Sequence, residues 1–471
     1  MLEKVLIINT GGTIGMVHND SQDPTSPLRP AKDWHEITKE HPILKKFPTD
    51  YCQLEKLIDS SDMCPEVWIS IGKIIEENYN KYRGFVVLHG TDTMAFTASA
   101  LSFMCKNLSK PIILTGSQVP LQSPRSDALQ NLVTAIQIAG NEIYGVRLVP
   151  EVAIFFRDTL LRGNRARKID ATNYFGFSSP NYPVIGEAGG DIKIIKDRIL
   201  KPSHDKFYLD ARFSNEVIVL ELFPGLNFNY LKSIFKENCG IKGVILKTYG
   251  NGNAPTTKEF FEFLKYVSSQ KIVIIDITQC TKGFVKMGLY EASARLTDIG
   301  VISGTDLTPE AAVTKLMYLL GTCRDIKQIK RKMQVDICGE QTLSQYDFIF
   351  ENKDEFTDYF TTEITVPKKL KKEYLLRSVA RVVNITEREF IDKELKITMS
   401  IESLDDYDDN FIESDNKIQK IVEANKNDAH ILFNKSVKRI LDSSKTVRII
   451  MEANMKIKWE NINFSIYSEL I

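Results

Sequence analysis

The chain has 471 residues, more than one small hydrophobic core organises, so two or three domains are expected. Lys and Arg total 61 and so do Asp and Glu, which removes any overall charge that would draw the chain to nucleic acid or to an anionic membrane. No apolar run approaches the ~18 residues that span a bilayer, the stretch after Met1 is too short for a secretory leader, and seven scattered cysteines without C-x-x-C spacing argue against a disulfide framework or a zinc site and for a reducing cytoplasm.

Residues 5–8 form the first predicted strand, a continuous apolar run that suits a strand buried on both faces, and it ends at Asn9-Thr10-Gly11-Gly12-Thr13. Further runs follow at 85–88, 111–114 and 152–156, ending at His89-Gly90-Thr91, Thr115-Gly116-Ser117 and Arg162-Gly163-Asn164. Between them, 93–107 and 127–139 carry apolar residues at helical spacing. Strands alternating with helices predict an α/β fold with a doubly wound parallel sheet over residues 1–200. After a looser stretch at 192–214 the same grammar resumes, with strands expected at 217–222, 243–246, 271–277 and 300–302. This makes a smaller α/β domain over 215–340. From 341 to 471 the composition changes to charged, helix-like segments (368–383 and 416–425), strand-like ones (395–401 and 447–466) and an acidic loop at 405–409. An added α+β domain is expected there, and no site motif is visible in it.

Ligands of open parallel sheets bind beyond the carboxyl ends of the strands. Those ends collect Thr13, Thr91, Asp92, Ser117 and, past the fourth strand, Lys168. There is no Gly-x-Ser-x-Gly elbow and no nearby Cys–His pair, so the chemistry points to another hydroxyl nucleophile. Gly11-Gly12-Thr13-Ile14-Gly15 lacks both phosphate-loop signatures; it is either a turn that exposes the Thr13 hydroxyl or a tight turn without chemistry. In His89-Gly90-Thr91-Asp92-Thr93-Met94, Asp92 lies beside a threonine hydroxyl. The alternative reading is that Thr91 or Asp92 caps the following helix. Lys168 is a candidate base, its neutral form favoured by burial and by the neighbouring Arg165 and Arg167.

Taken in order, Asn9-Thr10-Gly11-Gly12-Thr13-Ile14-Gly15-Met16, Asp59-Ser60-Ser61-Asp62-Met63, His89-Gly90-Thr91-Asp92-Thr93-Met94-Ala95, Leu114-Thr115-Gly116-Ser117-Gln118, Arg162-Gly163-Asn164-Arg165, Ser179-Pro180-Asn181 and Thr278-Gln279-Cys280 resemble the bacterial-type L-asparaginases, specifically the cytoplasmic type I branch. The resemblance covers roughly residues 4–340. It implies hydrolysis of L-asparagine with Thr13 as nucleophile and Thr91, Asp92 and Lys168 handling protons. Asp92 would also hold the substrate α-amino group, Ser60 and Ser61 its α-carboxylate, and the Ser117 backbone its amide. Backbone N–H groups near Gly12 and Thr91 would stabilise the oxyanion. No metal or organic cofactor is implied. The family assembles as dimers of intimate dimers, and Asn253 resembles a residue supplied to the site by the neighbour.

Three departures qualify the resemblance. The loop at 17–27 lacks the tyrosine that many members carry after the nucleophile; His18 lies there, and Tyr290 is the better substitute. Lys247 and Ala166 stand where asparagine-activated relatives have arginine and threonine near Cys280, so weak or absent activation by asparagine is expected. Residues 341–471 lie beyond the resemblance. Two alternatives remain: the amidase subunit of a tRNA-dependent amidotransferase, which normally has a domain ahead of the catalytic one whereas the first strand here starts at Val5, and a sensor or gated effector built on the same fold. Preference for asparagine over glutamine is not readable from these residues.

Overall fold

The computed structural model describes residues 4–19, 26–39, 41–236, 239–285, 295–296 and 299–342. In the tail it describes 346–349, 356–365, 375–388, 395–403, 417–422, 429–436, 446–460 and 463–469. The chain divides into two compact units, Met1–Thr342 and Leu343–Ile471.

The first unit is led by an eight-stranded sheet. Its strands in chain order are β1 (Val5–Gly11), β2 (Thr49–Ile58), β3 (Gly84–Leu88), β4 (Ile112–Thr115), β5 (Val152–Phe156), β6 (Thr159–Arg162), β7 (Gly186–Ala188) and β8 (Ile192–Ile194). Across the sheet they run β8-β7-β6-β5-β4-β3-β1-β2. The stretch from β2 to β5 is parallel, and β6, β7 and β8 extend it as antiparallel neighbours. Successive side chains of a strand face opposite ways. Leu6, Ile8, Phe85, Val87, Ile112 and Leu114 therefore pack against α1 (Pro65–Asn78) and α2 (Met94–Met104). Their neighbours Val5, Ile7, Val86, Leu88 and Ile113 pack on the other face against α3 (Ala128–Gly140). Burial on both faces is why these strands read as unbroken apolar runs.

A second, all-parallel sheet follows: β9 (Val217–Glu221), β10 (Gly243–Thr248), β11 (Val273–Thr278) and β12 (Ile302–Ser303). Helix α4 (Lys258–Ser269) covers one face and α5 (Pro309–Thr322) the other, with α6 (Ile326–Met333) beside α5. Side chains of Thr257, Thr308 and Asp325 accept the first backbone N–H groups of α4, α5 and α6, so each helix starts at a capped end. Phe103 of α2 stacks on Tyr318 of α5 at 6.1 Å, joining the two sheets' cores.

The end of this unit is tied inward. Lys315 and Glu340 form a wholly buried ion pair at 2.6 Å, and Lys315 also donates to the Val335 carbonyl and to Gln341. Arg165 donates to the Gly339 carbonyl at 2.7 Å, to Asp306 at 2.8 Å and to Thr342 at 3.0 Å. Asn164 donates to the Cys338 carbonyl at 3.0 Å.

In the second unit every described element is a strand, paired antiparallel. The helices expected at 368–383 and 416–425 are corrected: Leu375–Arg388 and Lys417–Val422 are strands. Leu375–Arg388 pairs with both Ala429–Ser436 and Asn463–Glu469. The β-branched residues Val379, Val382, Val383, Ile385 and Thr386 favour that pleated environment over a helix, whatever the charge pattern. The acidic loop expected at 405–409 lies outside the described residues.

Candidate active site

Three loops meet beyond the carboxyl ends of β1 and β3, and glycine is what lets them meet. Gly12 has φ +82°, and a Cβ there would lie 2.4 Å from the Gly90 nitrogen. A Cβ on Gly90 would lie 2.5 Å from Ser60 Oγ. Any side chain at either position would push the loops apart. Thr13, Ser60 and Thr91 are thereby held within one small volume. Thr13 opens a single 3-10 turn, Thr13–Gly15, and is half-buried. Thr10 Oγ1 donates to the Leu88 carbonyl at 2.8 Å and joins the ends of β1 and β3.

The Ser60-Ser61 turn is set by Asp59, whose carboxylate accepts from both the N–H and the hydroxyl of Ser61 at 2.8 Å. Those bonds hold the Asp59 carboxyl below its ordinary range. Thr93 Oγ1 donates to the Ser60 carbonyl at 2.6 Å, fixing this turn against the start of α2.

Lys168 arrives on the short ribbon Arg167–Lys168, paired antiparallel with Phe177–Ser178. Its Nζ lies 2.8 Å from Thr91 Oγ1 and 2.7 Å from Asp92 Oδ1. The capping alternative is corrected: the N-cap of α2 is Thr93, without a side-chain cap bond, and Thr91 and Asp92 turn to Lys168 instead. The expectation for Arg165 and Arg167 changes as well. Arg165 is spent in a buried pair with Asp306, and Arg167 Nε lies 3.6 Å from Glu310, so each guanidinium faces a carboxylate of its own.

Behind the loop lies a chain of polar groups that the sequence did not expose. His89 is completely buried. Its Nδ1 lies 2.6 Å from the Gly90 carbonyl and its Nε2 2.8 Å from Thr97 Oγ1, which accepts from Trp68 Nε1 at 3.0 Å. Burial pushes the imidazole down to about 4, so it is neutral at physiological pH. The signal available in the sequence was a histidine at a strand end next to glycine, with nothing to say which groups its ring meets.

Ser117 is buried just past β4, and its hydroxyl has no hydrogen-bond partner among the described residues. Asn131 holds the Gly116 carbonyl at 2.9 Å and Asp127 accepts from the Gln118 N–H, so the backbone around Ser117 is fixed from α3. Asn253 sits past β10 in a turn bridged to Tyr249; it is exposed, and its side chain accepts from the Ala254 N–H. Tyr290 lies outside the described residues, and so does most of the loop beyond His18. Lys247 Nζ is bonded to Glu221 at 2.5 Å, and Cys280 is exposed. Among the described residues no group of three or more His, Cys, Asp or Glu is placed to hold a metal, and no helix is long and apolar enough to cross a membrane. A cavity of about 380 Å³ lies elsewhere, between Lys106, Glu151, Arg162 and Gly339, and contains none of these groups.

Two family descriptions match this chain: "Asparaginase, N-terminal" over residues 4–200 and "Glutaminase/Asparaginase C-terminal domain" over 216–333. It is 38% identical over 346 residues to L-asparaginase 1 of Escherichia coli K12, covering 72% of this chain and 98% of that one. Among solved structures, L-asparaginase I of Vibrio cholerae superposes with a TM-score of 0.65 at 39% identity, covering 72% of this chain and 99% of its own. A probable cytoplasmic L-asparaginase of Campylobacter jejuni superposes at 0.59 with 25% identity, over 70% of this chain and 98% of that one.

Proposed function

The chain belongs to the asparaginase family, and from that membership we propose that it hydrolyses the side-chain amide of L-asparagine to L-aspartate and ammonia through a threonine ester. The observation that carries the reading is the Lys168 amine bridging the Thr91 hydroxyl and the Asp92 carboxylate, where the Gly12, Gly90 and Ser60 loops touch.

In the first step the Thr13 oxygen bonds to the amide carbon while its proton passes to the Thr91–Lys168 pair. The C–N bond then breaks as a proton from that pair reaches the nitrogen, which leaves as ammonia. In the second step water adds to the ester carbon, its proton returns to the Thr13 oxygen, and aspartate departs. Asp92 keeps Lys168 oriented and presents its exposed carboxylate to the substrate α-amino group, with Ser60 and Ser61 toward the α-carboxylate. The Ser117 backbone faces the amide. Asn253 acts from a neighbouring subunit of a homodimer or homotetramer, the place the family resemblance gives it. The protein works in the cytoplasm, like its Campylobacter relative's description.

One observation favours a second assignment within this chemistry. Lys168 touches Thr91, not Thr13, so Thr91 is the hydroxyl with a base already beside it. Ammonia release from L-asparagine and L-glutamine by the purified protein tests the function; no release with either refutes it. Acid-quenching during turnover and sequencing the aspartylated peptide then tells the two threonines apart. The ester is expected on Thr13, with Thr13→Ala losing several powers of ten in turnover.

A further inference from the structure

The least exposed titratable group near the site is His89, and the bonds around it specify its state. The Gly90 carbonyl can only accept, so the ring nitrogen 2.6 Å from it, Nδ1, carries the proton. A neutral ring then leaves Nε2 as an acceptor, and it takes the Thr97 hydroxyl proton at 2.8 Å. That hydroxyl has its lone pair free for Trp68 Nε1–H, 3.0 Å away, which can only donate. Every proton in Trp68–Thr97–His89–Gly90 has one allowed place.

The far end of this chain is a peptide plane. The Gly90–Thr91 bond is trans, so its carbonyl and the Thr91 N–H point in opposite directions. Fixing the Gly90 oxygen onto His89 in the interior turns the Thr91 N–H outward. That N–H makes no hydrogen bond to another described residue. The hydroxyl of the same residue is bonded to Lys168 at 2.8 Å. Gly90, without a side chain, has freedom to rotate this plane unless something holds it. A flipped plane would present the carbonyl, an acceptor, where a donor is needed.

Resting on the proposed amide hydrolysis, we infer that His89 is a positioning residue: its Nδ1–H locks the Gly90–Thr91 peptide so that the Thr91 N–H serves as a preformed donor to the oxyanion of the tetrahedral intermediates. Trp68 and Thr97 act one step further back by fixing the tautomer. The imidazole touches no substrate and transfers no proton. Its contribution is made in the transition state, where the carbonyl oxygen gains charge, and hardly at all in the ground-state complex.

The test separates these states. His89→Leu is expected to lower kcat by roughly 10²–10³-fold, the scale of losing one oxyanion donor. KM and the inhibition constant of L-aspartate stay within about threefold, because ground-state binding does not use the donor. L-Aspartate β-semialdehyde, whose aldehyde carbon accepts the threonine oxygen and generates an oxyanion, is expected to lose affinity in parallel with kcat. His89→Asn, whose carboxamide N–H can reach the Gly90 carbonyl, recovers at least tenfold of the loss. Should His89→Leu not fold, Thr97→Val tests the same chain, with an expected loss of about three- to tenfold as the Nε2–H tautomer becomes accessible. The inference is overturned if the aldehyde binds folded His89→Leu as tightly as wild type, if His89→Asn is no better than His89→Leu, or if Thr97→Val keeps full kcat. Absence of ammonia release from the wild-type protein would instead remove the functional reading on which it rests.

Discussion

Replacing Arg165 by methionine isolates what a buried charge does at the junction of the two sheets. Arg165 and Asp306 are each 3% exposed and lie 2.8 Å apart. The guanidinium also donates to the Gly339 carbonyl and to Thr342 Oγ1, while the other Asp306 oxygen accepts from the Thr342 N–H at 2.6 Å. Arg165→Met removes three donated bonds and takes the guanidinium charge away from a buried carboxylate. Breaking a buried pair from one side costs 3–5 kcal/mol, so a destabilisation of about 4 kcal/mol is expected. With a urea dependence near ~3 kcal/mol per M, as suits a large unit, this lowers the midpoint by roughly 1.3 M. Asp306→Asn leaves the guanidinium without its counter-charge and is expected to cost about 3 kcal/mol. The double variant carries neither charge and is expected to be at least 2 kcal/mol less destabilised than the two single costs added together. Urea titration of the full chain, followed by tryptophan fluorescence with ammonia release on the same samples, reads all four proteins. A shift under about 0.3 M for Arg165→Met, or strictly additive costs in the double variant, would mean that water reaches this pair and that the argument from burial is wrong.

Four further outcomes follow from the geometry. Lys168→Met is expected to lose about 10³-fold or more in kcat, with Lys168→Arg little better because a guanidinium does not release a proton at neutral pH; retention of a tenth of wild-type turnover by either would place the base elsewhere. Because His89 is neutral when native and takes a proton when unfolded, its contribution to stability is complete above pH 6.5 and is lost as pH falls toward 4. That amounts to roughly 3 kcal/mol, and His89→Asn should flatten this part of the stability–pH curve; an unchanged slope in that variant would contradict the assignment. A chain ending at Thr342 is expected to fold and keep its ammonia release, whereas one ending at Val335 loses Glu340 and leaves Lys315 buried without its carboxylate. Equal thermal stability of the two would refute the importance of that pair. Initial rates in asparagine are expected to be hyperbolic, since Lys247 is already neutralised by Glu221; a sigmoidal curve would contradict this.

How much of this was legible in the sequence depends on where each feature gets its stability. Strands β1, β3, β4 and β5 announce themselves because both faces are buried and each carries an unbroken apolar run. The ten-residue β2 carries no such signal: it is the sheet's edge, and exposed Glu55 and Lys56 break its apolar pattern. Segments 368–383 and 416–425 look helical by their charge spacing, yet Leu375–Arg388 and Lys417–Val422 are strands, because β-branched content and cross-strand partners that sequence alone does not name outweigh that spacing. The grouping of Thr91, Asp92 and Lys168 was reachable by collecting strand ends, since 76 and 77 residues of intervening chain are folded away by the sheet order. The His89 chain was not reachable that way. Its ring, Thr97 and Trp68 come from a strand end and two different helices, and only packing brings them into line.

The inward ties of Arg165, Asn164 and Lys315 also have a mechanical meaning. Tension applied through the tail arrives first at residues 336–342, where it loads the Lys315–Glu340 pair and the grip on Gly339 together. Bonds loaded side by side share the force, so a pull on Thr342 is met by the Lys315–Glu340 pair and the Arg165 grip on Gly339 at once and not one after the other.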